Sequence, residues 1–366
     1  MPLPADMELI ERQNGYSLYA FEGTTPPATE PMMAMMGAAW GHDYDERAIF
    51  RYDEPYLRWL LPKAGSVGVL VTDSQNQWVG CIIGVHRELR WHGKPLSVLY
   101  STALSVHPAH RGKRLAMRML ALLHQLGRER CGAGVLAGIL DSDASGEPTV
   151  AAVVAEQGWL LLESPPLTVW GCTADLLAME AYEPLQGLAR IALLPGLRSR
   201  AEFKTRRADR AVRLEAVSPQ ELEPAELPEA PLVTLNCGAL SEMYGQAHPE
   251  RSGTLRAPDY GVSACYHVLT LCRPGAPDCL LGQVQLIYGG SARSGALLPV
   301  LRAVTARMLD LGCASVTLMD TGLVAGLSLI RAGYTPLPRS VRFILYGDTS
   351  ELSGKSLDRP LHVELM

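Results

Sequence analysis

The sequence predicts an α/β fold in which a mixed, mostly antiparallel sheet with flanking helices is built twice in tandem. The first observation is a strand–helix–strand unit over residues 96–140, because a helix that joins two strands favours a parallel crossover. The second observation is that the same order of elements returns after residue 260. A repeat of that length determines the architecture, so we expect two domains of similar design.

In the first half, apolar runs bounded by polar residues or glycine mark the strands. Strands are predicted at residues 16–21, 66–72, 77–89, 96–106 and 134–140. Helices are predicted at residues 29–40, 55–61, within 107–130 and at 148–157, where Gly158 suits a left-handed C-cap. Two short strands, 159–162 and 167–171, are expected to pair with each other as a final hairpin.

The second half repeats this order of elements. Strands are predicted at residues 262–271, 280–288, 315–319 and 340–346, and helices at 296–311 and 323–332. The segment 193–229 is rich in charge and proline, and it is the predicted linker. The expected domains are therefore residues 1–192 and 230–366.

The composition limits the classes of protein to which the chain can belong. Of its 366 residues, 48% are hydrophobic and 19% are charged, so the chain can bury two cores of ordinary size. The net charge of −5 gives no reason to expect nucleic-acid binding. Lysine is rare and arginine is common, a bias that indicates a GC-rich bacterial genome.

The cysteines and the N-terminus indicate the cellular compartment. The 8 cysteines include no C-x-x-C pair and lie mostly in apolar runs, which is typical of buried, reduced thiols in a cytosolic protein. The chain begins without a basic region followed by an apolar one, and no apolar window is long enough for a membrane span. We therefore expect a soluble, cytoplasmic protein.

The most informative segment is a basic loop between a predicted strand and an amphipathic helix, with Arg111, Lys113 and Arg114 at the helix start. The first backbone N–H groups of a helix have no partner inside the helix, and the helix dipole places partial positive charge there. Together with the three cations, these groups suit a phosphate or a diphosphate. From charge alone, a basic helix start on a solvated face is an equal alternative.

The sequence of this loop resembles the acyl-CoA diphosphate loop of the GNAT superfamily of N-acyltransferases, which usually reads Arg/Gln-x-x-Gly-x-Gly/Ala. The residues that fall on that pattern are Arg111, Gly112, Arg114 and Ala116, with Arg114 where glycine is common. The Arg-Leu-Ala ending is similar to that of the N-myristoyltransferases, a family with two GNAT domains in tandem. The resemblance implies that acyl-CoA is held by Leu104, Ser105, Val106, Arg111, Gly112, Lys113, Arg114, Leu115 and Ala116.

The resemblance to the N-myristoyltransferases extends over most of the chain. It includes an acidic loop and a segment similar to that family's Phe-Arg-Phe, although the loop carries two extra residues and residues 195–260 match poorly. An acidic cluster attracts a cationic amine, whereas the alternative is a plain solvated loop. The candidates for acceptor binding are Asp43, Asp45, Glu46, Phe50 and Tyr52.

Transfer of an acyl group from a thioester to an amine requires stabilisation of the carbonyl oxygen as it gains negative charge. For this step the resemblance points to the backbone N–H groups of Ala103 and Leu104, because GNAT sheets splay near a bulge at this position. Ala103 stands where the N-myristoyltransferases have phenylalanine. An ordinary paired strand is the alternative.

The amine must also lose a proton, and two kinds of group are candidates for the base. In the family that the chain resembles, the terminal carboxylate is the base, and here it belongs to Met366. The apolar C-terminal end favours docking over fraying. Asp141 and Asp143, which follow a predicted strand, are rivals or plain turn residues. Val154 stands where many GNAT acetyltransferases have a tyrosine that protonates the leaving thiolate.

No metal site is expected. His107 and His110 lie in one loop without a nearby carboxylate or cysteine, which favours capping and phosphate contacts over metal binding. Four methionines at positions 32, 33, 35 and 36 either line a flexible acyl tunnel or simply fill the core.

The sequence therefore predicts an acyl-CoA-dependent N-acyltransferase in which the first domain binds acyl-CoA and the second contributes the acceptor site and the C-terminal tail. A medium- or long-chain acyl group and a small-molecule or peptide primary amine are the expected substrates. The alternatives are an acetyl-CoA-dependent N-acetyltransferase of a small amine and a catalytically silent acyl-CoA-binding module. An acyl-carrier protein is a further alternative as the donor.

Overall fold

The structure is a computed structural model that describes most of both predicted halves. The described residues are 7–23, 29–43, 49–51, 53–61, 65–91, 94–141, 146–173, 175, 212–218, 233–235, 251–272, 277–288, 296–320, 322, 324, 326–357 and 361–362. Within them the predicted fold class is confirmed, since the strands form a mixed, mostly antiparallel sheet with helices packed against it. No helix in these ranges combines the length and the apolar character needed to cross a bilayer.

The first half contains nine strands and four helices among the described residues. The strands are β1 (Glu8–Gln13), β2 (Tyr16–Glu22), β3 (Ile49–Arg51), β4 (Val67–Thr72), β5 (Trp78–Trp91), β6 (Lys94–Val106), β7 (Val135–Asp141), β8 (Leu160–Glu163) and β9 (Leu167–Thr173). The helices are α1 (Thr29–Asp43), α2 (Glu54–Leu60), α3 (Leu115–Cys131) and α4 (Gly146–Gln157).

The described part of the second half contains the remaining eight strands and three helices. The strands are β10 (Glu215–Val217), β11 (Val233–Leu235), β12 (Ser252–Ala257), β13 (Val262–Cys272), β14 (Cys279–Tyr288), β15 (Cys313–Met319), β16 (Thr335–Gly347) and β17 (Leu361–His362). The helices are α5 (Leu297–Asp310), α6 (Gly326–Ala332) and α7 (Thr349–Leu352).

The sheet of the first half has the predicted parallel crossover. Strands β2, β4, β5 and β6 form an antiparallel meander, and β1 pairs with β2 at its outer edge. Strand β6 then pairs in parallel with β7, and α3 makes the connection. The apolar stripe of α3, which includes Met119 and Leu123, packs on one face of the sheet together with α4, whereas α1 and α2 cover the opposite face. Burying one such side chain contributes about 1.5–3 kcal/mol.

The second half repeats this layout, as the sequence predicts. Strands β12, β13 and β14 are antiparallel, and β14 pairs in parallel with β15 across the connection made by α5. Val300, Leu301 and Val304 of α5 are fully buried against this sheet. Strand β10, which lies inside the predicted linker, adds to the edge of the sheet by pairing with β12.

The predicted hairpin of residues 159–162 and 167–171 is wrong, although both segments are strands. Strand β8 pairs with β16 of the second half, and β9 pairs with β15 and with the first part of β16. The last part of β16 lies between β7 and β8. Each half thus gives a strand to the sheet of the other half. The alternation of apolar residues marks a strand but does not determine its partner, which is a long-range property.

This exchange of strands means that the two sheets share their hydrogen bonding. Seven residues of β16, Val341 to Gly347, pair with seven of β7, Asp141 to Val135. Further contact between the halves comes from β3, which pairs with β13, and from β11, which pairs with the end of β5. The domain boundaries predicted at residues 192 and 230 stay a prediction.

Candidate functional site

Strand β6 is interrupted by a β-bulge at two of the predicted site residues. Cys81 of β5 is opposite Ser105 and Ile83 is opposite Thr102, so Ile82 alone faces the two residues Ala103 and Leu104. Ala103 has a φ of 58°, a left-handed conformation that is uncommon for any residue other than glycine. The bulge therefore breaks the regular ladder at the two backbone N–H groups predicted to stabilise the carbonyl oxygen.

Two buried side chains hold the carbonyl of the bulge. The hydroxyl of Ser105 donates to the Ala103 carbonyl at 3.0 Å, and the Cys81 thiol lies 3.6 Å from the same oxygen. Burial raises the pKa of Cys81 to about 12, so this thiol stays protonated and can donate at neutral pH. These contacts fix the unusual backbone conformation at Ala103 and make the bulge a defined feature of the fold.

Strands β6 and β7 separate just before the bulge. Their parallel pairing covers only Val98–Tyr100 and Val135–Ala137, whereas on its other edge β7 stays paired with β16 along its whole length, to Asp141. The part of β6 beyond Tyr100 has no further pairing with β7 in the described ladder. We call this opening the β6–β7 fork, and it contains Ala103 and Leu104. The splay that the resemblance implied is present, whereas the role of the two N–H groups stays a prediction.

The loop after β6 is built by its two histidines. The backbone N–H of His107 donates to the Val79 carbonyl at 2.8 Å, and the His107 ring accepts from the Ala109 N–H at 3.3 Å, which caps a short 3-10 helix at Pro108–His110. The His110 ring lies 3.1 Å from the hydroxyl of Tyr16. Both rings thus serve the fold of the loop. The described residues contain no group of three or more His, Cys, Asp or Glu side chains suited to a metal ion.

The start of α3 has the properties of an anion site. Arg114 is its N-cap residue in the left-handed conformation, and no side chain caps the helix. The N–H of Arg118 makes the first intrahelical bond, at 3.1 Å to the Arg114 carbonyl, so the preceding N–H groups have no helical partner. An added Cβ at Gly112 would meet no atom within 4 Å, so the space beside the loop is open. A diphosphate fits this arrangement.

The three cations of the loop have different surroundings. The Arg111 guanidinium donates to the Ala39 carbonyl of α1 at 3.1 Å and to the Val106 carbonyl at 3.4 Å, so it ties α1 to the end of β6. Arg114 forms an exposed ion pair with Glu156 of α4. Lys113 is exposed and has no partner among the described residues. The sequence indicated three equivalent charges, whereas the structure gives Arg111 an anchoring role.

The predicted acceptor-binding residues are only partly described. Asp43 is the last residue of α1, and Phe50 lies in β3 opposite Leu271 of β13. Asp45, Glu46 and Tyr52 lie outside the described residues.

The candidates for the base are also described in part. Asp141 ends β7 opposite Val341 of β16 and is half-buried. Met366 and Asp143 lie outside the described residues. The tail that leads towards Met366 returns to the sheet, because β17 pairs in parallel with β11, which pairs with the end of β5.

The methionines of α1 belong to the buried core next to the bulge. Met32, Met35 and Met36 are at most 4% exposed and lie in the same apolar cluster as Ala103 and Tyr100. Thioether side chains pack adaptably, so this cluster can fill space or yield to an apolar ligand. Val154, in place of a tyrosine on α4, is half-buried.

Sequence reasoning missed Asp53, which joins the two halves. One oxygen of its carboxylate accepts from the Tyr56 N–H at 2.9 Å and caps α2. The other oxygen accepts from the Thr270 hydroxyl at 2.8 Å and lies 3.4 Å from the Arg251 guanidinium. The signal for the cap was present, since Asp-Glu-Pro is a typical helix start. The contacts with β13 and Arg251 are long-range, and no local pattern indicates them.

Comparison with known proteins gives a likeness in structure only. No protein-family model matches the sequence, and no curated protein is significantly similar to it. Saccharomyces cerevisiae N-myristoyltransferase with bound myristoyl-CoA is similar with a TM-score of 0.68 and 12% identity, over 93% of this chain and 84% of that one. A putative acetyltransferase from Pyrococcus horikoshii is similar with a TM-score of 0.51 and 9% identity, over 98% of this chain and 96% of that one. Identities this low indicate the fold alone: the chain has a GNAT-superfamily fold that resembles N-myristoyltransferase.

Proposed function

We propose that this chain is an acyl-CoA-dependent N-acyltransferase that transfers an acyl group to a primary amine. The observation that carries the proposal is that one strand, β6, contains the bulge and the fork and then leads directly into the uncapped start of α3. A ligand with a diphosphate at one end and a thioester at the other suits these two features. The fold, which resembles that of a transferase with bound myristoyl-CoA, supports the same conclusion.

The diphosphate would lie on the backbone N–H groups of Gly112, Lys113, Leu115 and Ala116. The helix dipole and the Lys113 ammonium add positive charge there. Arg114 is held by an exposed ion pair, with side chains 63% and 45% exposed, and such pairs contribute only about 0–1 kcal/mol. The guanidinium can therefore leave Glu156 for a phosphate at small cost, whereas Arg111 would support the loop from behind.

The arm between diphosphate and thioester would follow β6 along Val106, Ser105 and Leu104 into the fork. The carbonyl oxygen of the thioester would then face the N–H groups of Ala103 and Leu104. Donors that are fixed before the reaction stabilise the developing negative charge without reorganisation, and loss of one such donor typically lowers the rate by about 10²–10³. The contacts of Ser105 and Cys81 with the Ala103 carbonyl would keep these donors in place.

A medium- or long-chain acyl group is the proposed donor group. The support is that Met32, Met35 and Met36 belong to the same apolar cluster as Ala103, a cluster to which α1, α2 and β5 all contribute. Flexible thioether side chains can rearrange around an alkyl chain.

The amine would attack the thioester directly, with no acyl-enzyme intermediate. We assign the base to the carboxylate of Met366, supported by the return of the tail to the sheet through β17. An α-carboxyl group has an ordinary pKa of about 3.5, and apolar surroundings in general raise the pKa of a carboxyl group towards the range of a useful base. Asp141, at the end of β7, is the second candidate for the base.

The two halves would bind different substrates. Residues 1–192 would bind the donor, and residues 230–366 would supply the tail and part of the acceptor site, with 193–229 as the linker. Asp43, Asp45, Glu46, Phe50 and Tyr52 would face the amine, and the three acidic residues would attract its positive charge. The pairing of β3 with β13, which brings Phe50 to the second half, supports this assignment.

The test is a series of acyl-CoA donors from acetyl to palmitoyl, with thiol release measured against a panel of primary amines and amino-terminal peptides. We expect turnover that rises with chain length and is strongest for a medium or long chain. A rate that is highest with acetyl-CoA would favour a small-amine acetyltransferase. Tight binding of CoA derivatives without turnover on any amine would favour a silent binding module and would overturn the proposal.

A further inference from the structure

Two linked, partly buried hydrogen bonds lie at the root of the β6–β7 fork, and three strands contribute to them. The Ser101 hydroxyl of β6 donates to the Ala137 carbonyl of β7 at 2.9 Å. The Tyr346 hydroxyl of β16 lies 3.1 Å from the same Ser101 oxygen. Tyr346 is only 1% exposed, so its hydroxyl is shielded from water, whereas Ser101 is half-buried. Neither residue has a role in the transfer chemistry proposed above.

The direction of the hydrogen bonds follows from the number of protons. A serine hydroxyl has one proton, and here it is donated to Ala137, so the Tyr346 hydroxyl must donate to Ser101. Burial raises the pKa of Tyr346 to about 12, which keeps its proton in place at neutral pH. The chain therefore runs in one direction, from Tyr346 through Ser101 to the carbonyl of β7.

The location of Ser101 gives this chain its significance. Ser101 is the first residue of β6 beyond the paired segment, and it lies two residues before Ala103. Gly138 of β7 leaves room for the Ser101 hydroxyl, because an added Cβ there would lie 3.2 Å from the Ser101 oxygen. The side-chain contact thus ties the two strands together at the point where they begin to separate.

We propose that Ser101 and Tyr346 are positioning residues for the acyl donor: their hydrogen-bonded chain fixes the width of the β6–β7 fork and so the placement of the Ala103 and Leu104 N–H groups. The inference rests on the proposed function for the identity of the ligand. Because Tyr346 reaches the fork on an exchanged strand, the second half controls the donor site of the first half. Fixing a site before the ligand arrives strengthens binding, since less order is lost on binding.

The protein contains a matched control for a purely structural role. The Tyr334 hydroxyl lies 2.8 Å from the Thr305 hydroxyl, which donates to the Leu301 carbonyl at 2.7 Å. This is the same chemical arrangement, and Tyr334 is also fully buried. It lies in the apolar cluster around α5, away from the fork. Tyr346→Phe and Tyr334→Phe each remove one buried phenolic hydroxyl and should lower the melting temperature similarly.

The experiment measures the Kd for CoA by calorimetry and the KM for acyl-CoA, both in the full-length protein. Tyr346→Phe and Ser101→Ala should each raise this Kd and this KM about three- to tenfold, as expected for the loss of one net hydrogen bond. Neither variant should change the KM for the amine. The double variant should bind CoA only slightly more weakly than either single variant, because each substitution breaks the same set of linked hydrogen bonds. Ser101→Thr, which keeps the hydroxyl, should restore binding, and Tyr334→Phe should not alter it. Unchanged CoA binding in Tyr346→Phe would overturn the proposal.

Amide hydrogen exchange without ligand separates this proposal from the proposed function. Tyr346→Phe should speed exchange in peptides covering residues 98–106, and Tyr334→Phe should not. If the wild-type protein binds no CoA, the proposed function fails, but this exchange result still decides whether the chain fixes the fork. Equal exchange in wild type and Tyr346→Phe would overturn the inference even if CoA binds.

Discussion

Arg111 and Arg114 lie in one loop, but removing Arg111 should lower stability, whereas removing Arg114 should weaken CoA binding. Arg111 donates to the Ala39 carbonyl at 3.1 Å and to the Val106 carbonyl at 3.4 Å. A hydrogen bond from a charged donor contributes about 1.5–3 kcal/mol, and the longer of the two is at the weak end of this range. Arg111→Ala should therefore lower the free energy of unfolding by about 3 kcal/mol.

Removing Arg114 should affect binding and not stability. Its ion pair with Glu156 is exposed on both sides, so Arg114→Ala should change the free energy of unfolding by less than about 1 kcal/mol. The loss of one charge-assisted hydrogen bond to a phosphate should raise the Kd for CoA about tenfold, which is about 1.4 kcal/mol.

Urea unfolding followed by circular dichroism, together with calorimetric titration of CoA, measures both quantities. Glu156→Ala is the control, because it releases Arg114 without removing the charge and should bind CoA at least as tightly as the wild type. The reasoning is refuted if Arg111→Ala is as stable as the wild type, or if Arg114→Ala binds CoA with unchanged Kd.

The remaining predictions concern stability. Gly347→Ala should lower the free energy of unfolding by about 3 kcal/mol, since φ is 146° and the new Cβ would lie 2.5 Å from the Gly134 carbonyl oxygen beside β7. Gly354→Ala, where φ is 71° and the space is open, should lower it by only about 1 kcal/mol. Equal losses for the two variants in urea unfolding would contradict the close packing of β16 against this carbonyl. Asp53→Ala should lower the free energy of unfolding by about 2 kcal/mol, and Asp53→Asn, which keeps an oxygen for the cap, by less. Burial lowers the pKa of His124, so its neutral form is favoured in the folded protein. The free energy of unfolding should therefore be unaffected by this group above the unfolded pKa of about 6.5 and should fall below it by at most about 1.4 kcal/mol per pH unit. His124→Gln should weaken this pH dependence in unfolding experiments at pH 7.5 and 5.5.

The sequence predicted individual elements well because local patterns encode them. The strand and helix boundaries around α3 agree with the structure to within a few residues, and Gly158 adopts the left-handed conformation expected of a C-cap. The bulge at Ala103 was expected only from the resemblance, since nothing in an alanine favours a positive φ. Buried contacts from Ser105 and Cys81 stabilise that conformation, and they depend on the pairing of two strands.

Choices among distant partners could not be predicted. Strands β8 and β9 look like a hairpin because a short turn joins them, yet each pairs with strands from the second half. The contacts of Arg111, Asp53 and Tyr346 were missed for the same reason, because their partners lie 72, 217 and 245 residues away in the sequence. A single sequence shows the chemistry of a side chain but not which carbonyl or hydroxyl the fold brings next to it.

The most direct test of the proposed donor site is the response of individual backbone N–H groups in ¹H–¹⁵N spectra during titration with CoA. The resonances of Gly112, Lys113, Leu115 and Ala116 should shift most and saturate together with the calorimetric heat. Pantetheine, which has the thiol arm but no diphosphate, should leave these four resonances in place. Saturable binding of CoA that leaves them unmoved, or the absence of any binding, would contradict a diphosphate site at the start of α3.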